Sequence, residues 1–411
     1  MRDIRNKTTS RTALLGRDFP GTRFEVLAQI GDPVSMGQPL MRDRRRPEIL
    51  FTAPAAGAVV EISRGPKRSI VSMQVEVTGE DVATVFDLTS CTDGGAVREL
   101  MLRSGLWTAL RQRPFGIIPD PADQPSALLI TAMDTQPLAP DPSEIIGKQP
   151  AEFTAGAKAL ATMVQAPVHI CKSPGADIPI VESETIQIAE FPGPHPAGLP
   201  STHIQRLCPI GFSSNIPWCI GYQDVISLGY LINTGRIAPY RIVSVDGPGV
   251  KKPSLLGVTP GGCIDDIVAE VMHEKPAKII SGTPLSGHYA LGDEAYLGQN
   301  HNQITVFAKA KTAFSRWRAR SVFEVVPDKH SSPLIPTTDL DQATPPGVLT
   351  VPMMRALLVG DTERARNLGA LELVEEDVAM MGFLCPSKTD YRPLLRRVLN
   401  QLQKEQSAVT S

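Results

Sequence analysis

The run SALLITAM, Ser126 to Met133, is apolar at nearly every position. A strand with one wet face alternates polar and apolar residues. A strand covered on both faces reads as an unbroken apolar run, as a parallel sheet between helix layers requires. Two shorter segments read the same way: PVHIC, Pro167 to Cys171, and TIQIAEF, Thr185 to Phe191. Between the first two lies AEFTAGAKALATMVQ, with Phe153, Leu160, Met163 and Val164 at helical spacing. Upstream, AVRELMLRSGLW places Val97, Leu100, Met101 and Leu102 near one helical face; downstream, GYQDVISLGYLINTG is a helix with Gly235 as its C-cap. Over residues 95–236 these elements predict a Rossmann-like α/β domain with a parallel core.

The flanking segments have other periods. Residues 21–80 read as strands, with GDPVSMGQPL and FTAPAAGAVV placed around tight turns. The pair resembles the two hallmarks of biotinyl- and lipoyl-carrier β-sandwiches. Those carriers modify a Lys at the hairpin tip, whereas this tip, MRDRRRPEI from Met41 to Ile49, has none. No amine is there to take the amide bond, so a carrier role fails. Arg42, Arg44, Arg45 and Arg46 are read as a solvated tip, with an acidic partner or lipid phosphate as the alternative. Residues 238–310 are β-rich with one short helix, DDIVAEV, and predict a β-grasp unit. Residues 312–346, rich in Pro, Ser and Thr, read as a linker. Residues 347–406 are helical, with Leu394, Leu395, Val398, Leu399 and Leu402 on one stripe. The whole is a multidomain α+β and α/β chain.

Composition excludes several classes. The net charge of −2 gives no global field for nucleic acid. No stretch reaches the roughly 20 apolar residues of a membrane span. The start, MRDIRNKTTSRTALLG, has no apolar signal core, so a cytoplasmic location is expected. Cys91, Cys171, Cys208, Cys219, Cys263 and Cys385 are scattered without a C-x-x-C pair, and read as free thiols.

Four chemical candidates remain. EFPGPHPAGLPSTHI, Glu190 to Ile204, reads as a loop at the carboxyl edge of the sheet, where open α/β folds bind ligands. Its His195 and His203 stand eight apart, and no acidic residue follows Glu190 until Asp224 to complete a metal site. SVDGPGVKKP opens no helix, so it reads as a turn and not as a dinucleotide loop. Ser281, Ser286 and His288 in ISGTPLSGH lack any nucleophile motif and read as a turn. SGLWTALRQRPFG gathers Trp107, Arg111, Arg113 and Phe115, which suits either a flat, electron-rich ligand such as a quinone or a helix capped by its own arginines. No catalytic residue and no metal ligand set emerges.

Eight segments in order resemble one family, the A (alpha) subunit of the Na⁺-translocating NADH:quinone oxidoreductase. They are FTAPAAGAVVEISRGPKR, SGLWTALRQRPF, ITAMDTQPLAPDP, EFPGPHPAGLPSTHI, YQDVISLGYLINTG, ISGTPLSG, AYLGQNHNQITV and GALELVEEDVAMMGFLCPSK. They cover about residues 20–310 and 350–405. The resemblance implies a peripheral subunit on the cytoplasmic face of the bacterial inner membrane, partnered by the other pump subunits. At the level of the complex it implies NADH, flavins, iron–sulfur and ubiquinone. The related C subunit of the Rnf complex and the flavin subunit of complex I bind FMN through a Gly-rich loop. Here SGLWTALRQRPF stands at that loop, PHPAGLPSTHI stands at the nucleotide loop, and only Cys385 remains of the cluster cysteines. Flavin, NADH and iron–sulfur sites are therefore expected to be absent from this chain. The β-grasp unit corresponds to an SLBB-like domain. Trp107, Arg111, Arg113, His195 and His203 are the candidates for quinone contact. The alternatives are a soluble FMN- and NADH-binding electron-transfer protein like the Rnf C subunit, or a cofactor-free interaction module. The leader before Phe19 and a shortened Phe314–Pro346 depart from the family and mark a diverged member or paralogue.

Overall fold

The computed structural model describes residues 4–89, 93–210, 215–273, 278–308 and 334–410. Cys91 and most of the expected linker, including Phe314, lie outside the described residues.

The α/β domain is centred on the strand Leu128–Thr131, the interior of SALLITAM. Strands Ile186–Glu190, Val168–Lys172, Leu128–Thr131 and Trp218–Gly221 run parallel in that spatial order, and Arg111–Gln112 closes one edge antiparallel. Leu128, Leu129 and Ile130 are fully buried, because helices cover both faces. One face carries Gly94–Ser104, Pro150–Met163 and Tyr222–Thr234, packed through Met101, Phe153, Leu160 and Val225. Gly156 and Gly229 let the last two helices touch: a Cβ on Gly229 would lie 1.7 Å from the Glu152 carbonyl oxygen. Gly235 takes the left-handed cap expected of it, with φ 71°. The other face holds Pro200–Leu207, packed through Ile204 against Phe191 and Ala197. That helix corrects the reading of Glu190–Ile204 as loop throughout. Pro200 sits in its first turn, where a missing N–H costs nothing. The strand Trp218–Gly221 has no counterpart in the sequence reading, being only four residues long.

The N-terminal unit is two antiparallel sheets, as the carrier resemblance implies. Gly57 of the APAAG turn is required by close approach: a Cβ there would lie 1.9 Å from the Glu76 carbonyl oxygen. The strand Arg11–Leu15, ahead of the expected 21–80 span, pairs with Ile70–Val77. The arginine tip is only partly solvated. Arg42 donates to Glu25 at 2.8 Å, and Arg46 donates to Asp43 at 2.9 Å and to the Ile118 carbonyl at 2.8 Å. Only Arg44 and Arg45 of the four are exposed.

The third unit has a six-stranded mixed sheet, with Ile264–Val268 as its short helix. Its edge strand, Arg5–Lys7, comes from the start of the chain and lies parallel to Ser254–Val258. The helical unit begins earlier than expected, with Thr338–Gln342 inside the supposed linker and Leu340 buried in its core. In the helix Arg392–Thr410 the stripe Leu395, Val398, Leu399 and Leu402 packs inward.

Candidate functional site

The sheet order reverses beside its central strand. From Leu128–Thr131 the chain steps outward through Val168–Lys172 to Ile186–Glu190, then returns to place Trp218–Gly221 on the other side. Such a switch point leaves a crevice beyond the carboxyl ends of the two strands. A crevice of about 830 Å³ opens there, lined by Thr131, Met133 and Asp134 from one strand end and by Cys219, Gly221 and Tyr222 from the other. All four units reach it: Asp18 from the first, Arg111 and Leu199 from the second, His301 from the third and Glu376 from the helical one.

Most of its arginines are matched to carboxylates. Arg17 meets Glu294 at 2.9 Å, Arg241 meets Asp224 at 2.7 Å, Arg392 meets Asp390 at 2.8 Å and Arg396 meets Glu375 at 2.6 Å. Arg111 and Arg113 bond no carboxylate among the described residues. Arg111 donates to the main-chain carbonyls of Leu110 and Asp18, both at 2.9 Å. Burial lowers its pKa to about 10, so it stays cationic at neutral pH. Arg113 is 2% exposed, its Nε is without a partner, and its Nη2 reaches only the Ser201 hydroxyl at 3.4 Å. Ser201 in turn donates to Asp377 at 2.7 Å.

The carboxyls left over are pushed toward their neutral forms. Asp134 and Asp18 both rise to about 6, chiefly because burial penalises the charged form. Glu376 and Asp377 rise as well, first from burial; Glu376 is raised further by Asp377 beside it, while Arg113 opposes the rise in both. The crevice thus combines two arginines that bond no carboxylate among the described residues with carboxyls whose pKa values burial raises.

The sequence candidates divide. Arg111 and Arg113 line the crevice. Trp107 is fully buried in the α/β core, its ring edge-on to Trp218 at 5.5 Å and its Nε1 donating to the Pro119 carbonyl at 3.0 Å. His203 is also fully buried; its Nε2 pairs with the Ala197 carbonyl at 2.9 Å and its ring packs on Phe191. His195 is half-buried, and neither ring nitrogen has a partner. Burial lowers both histidines to about 4, so each is a neutral imidazole at neutral pH. It is Gly198, Leu199 and Pro200 of that motif, not its histidines, that face the crevice. Ser281 is buried, with its Oγ held at 2.8 Å from His301 Nδ1 and accepting the Gly298 N–H. Asp134 was findable in the sequence, because it follows the central strand at the sheet's carboxyl edge. Glu376 and Asp377 were not, since an acidic pair in a helix's first turn reads as an ordinary dipole partner.

Three family profiles match in order: the NqrA N-terminal barrel-sandwich hybrid domain over residues 3–78, the NqrA second alpha/beta domain over 92–237, and the NQRA C-terminal (SLBB) domain over 242–291. The chain belongs to the NqrA family. Curated relatives, each named as the A subunit of Na⁺-translocating NADH-quinone reductase, match along nearly the whole length. The one from Neisseria meningitidis serogroup C is 37% identical over 96% of this chain and 94% of its own. That from Vibrio alginolyticus is 37% identical over 97% and 95%, and that from Rhodopirellula baltica 34% over 96% and 92%. The leader before Phe19 is not set apart, since the first profile begins at residue 3. Among solved structures, an air-oxidized NAD⁺-reducing [NiFe]-hydrogenase aligns at 13% identity and TM-score 0.46, over 78% of this chain and 63% of that one.

Proposed function

We propose that the chain serves as the A subunit of a Na⁺-translocating NADH-quinone reductase. In this reading it is a peripheral, non-redox docking subunit on the cytoplasmic side of the inner membrane, and its crevice contacts ubiquinone. The names and coverage of the curated relatives support the assignment to the complex. A peripheral position accords with the described helices, none of which is long and apolar enough to cross a membrane.

The observation that carries quinone contact is the pair Arg111 and Arg113, lining a switch-point crevice without a bonded carboxylate. Quinone oxygens accept hydrogen bonds and bring no charge. Guanidinium donors and protonated carboxyls can both serve them, while Met133, Leu199 and Tyr222 supply apolar wall. Trp107, His195 and His203 do not line the crevice, so the contact is assigned to Arg111 and Arg113.

Photo-crosslinking the assembled complex with an azido-quinone tests this. Labels in peptides containing Arg111–Arg113 or Gly198–Ser201 are expected; labels confined to other subunits overturn it. A visible spectrum of the purified chain separates the alternative, because bound flavin would favour an electron-transfer protein of the Rnf C type.

A further inference from the structure

The helical unit meets the α/β domain at a buried junction, beside a second link in which Arg396 Nη1 donates to the Phe115 carbonyl at 2.8 Å. Asp377, in the first turn of Glu375–Leu384, is fully buried. Its Oδ2 accepts the Ser201 hydroxyl at 2.7 Å and the Val374 N–H at 2.6 Å. Its Oδ1 has no partner, and neither does Nε of Arg113, which touches the same serine. A buried aspartate and a buried arginine thus stand on either side of Ser201 without joining directly. Glu376 adjoins them on the crevice wall.

We propose that the Arg113–Ser201–Asp377 junction is a pH-sensitive latch, which holds the helical unit against the α/β domain and sets access to the crevice. The charged and titratable groups around it come from each packed element. Arg113 follows the edge strand, Asp134 follows the central strand, Glu375 and Glu376 precede Asp377, and Glu375 is itself held by Arg396 of the last helix. Arg113 is a cation set against two adjoining carboxyls that burial, and for Glu376 also the charge of Asp377, favour as acids.

Both carboxyls bind protons more tightly in the closed form than when solvated. Closure is therefore strongest below the ordinary carboxylate range, about pH 4, and is lost as pH rises toward neutrality. Each carboxyl weakens closure by about tenfold per pH unit within that window. The latch needs no particular ligand in the crevice.

Cys219 is the built-in reporter. It lines the crevice, is 5% exposed, and feels Arg113, Glu376 and Asp377. The measurement is maleimide labelling of Cys219 in the full chain, read by peptide mass spectrometry and normalised at each pH to a free model thiol. The normalised rate is expected to rise at least about tenfold between about pH 5 and pH 8. Combining Glu376→Gln with Asp377→Asn should flatten the profile, since both amides keep shape without charge. Ser201→Ala should label fast already at the acid end. A flat wild-type profile, an unchanged rise in the double variant, or slow acid labelling of Ser201→Ala each overturns the latch. Should the double variant fail to fold, the wild-type profile and Ser201→Ala decide.

Discussion

Two junctions flank the same crevice, and each sets a buried arginine near a buried aspartate. Between the α/β domain and the third unit, Arg241 and Asp224 pair at 2.7 Å, with Asn302 Oδ1 accepting from Arg241 Nη2 at 2.9 Å. Between the α/β domain and the helical unit, Arg113 and Asp377 meet only through Ser201. The first junction satisfies its charges and the second leaves Nε of Arg113 and Oδ1 of Asp377 unpartnered. A buried pair that is closed by geometry resists separation, because pulling it apart strands two charges in a poor solvent. A pair bridged by one hydroxyl has less to lose. On the proposed latch, the wall at Arg241 and Asp224 is the fixed one and the wall at Ser201 is the one that moves.

The largest effect should come from breaking the fixed wall. Asp224→Ala leaves Arg241 buried and uncompensated, and is expected to cost about 3–5 kcal/mol. Calorimetric unfolding of the full chain would show it as a lowered first transition. Adding Arg241→Met should recover most of that loss, since an apolar pair of similar volume removes the stranded charge. A small loss for Asp224→Ala alone would erase the contrast between the walls.

The sequence carried the pieces of the fold better than their assembly. SALLITAM announced a doubly covered strand because hydrophobic periodicity is local, and Gly235 announced its helix end because a left-handed cap is local too. Arg5–Lys7 gave no such signal. Three residues, two of them charged, become a strand only because the edge of a sheet some 250 residues later receives them. The site divides along the same line. Arg111 and Arg113 stood out as cations in an apolar, aromatic setting. Nothing near Asp377 reveals that its partner is Ser201, because that bond spans 176 positions. The histidines drew notice for their rarity in a proline-rich stretch, but burial, which decides whether an imidazole can act, is not a local property.

A middle-sized effect is expected at the bridge. Ser201→Ala removes its hydrogen bond to Asp377 and leaves buried polar atoms of Arg113 and Asp377 with fewer partners, for a loss of about 2 kcal/mol. The loss should fall on the docking of the helical unit. Proteolysis would then degrade the helical unit first, with the α/β domain surviving as a resistant fragment. Uniform digestion of all units would mean that the serine supports the whole molecule and not one wall.

The smallest effect is also the most specific, because its sign depends on pH. Glu376 is raised in the folded chain, first by burial and then by Asp377. Its contribution to stability is fully present below its ordinary pKa of about 4 and is lost as pH rises to neutrality. Glu376→Gln removes the ionisation that causes the loss. The variant should match wild type in acid and exceed it in mild alkali by about 1 kcal/mol, discounted because the side chain is only partly buried. A variant that is weaker than wild type at every pH would assign Glu376 a bond that its ionised form makes. The second wall would then be satisfied after all, and the asymmetry between the two junctions would be one of geometry without energetic consequence.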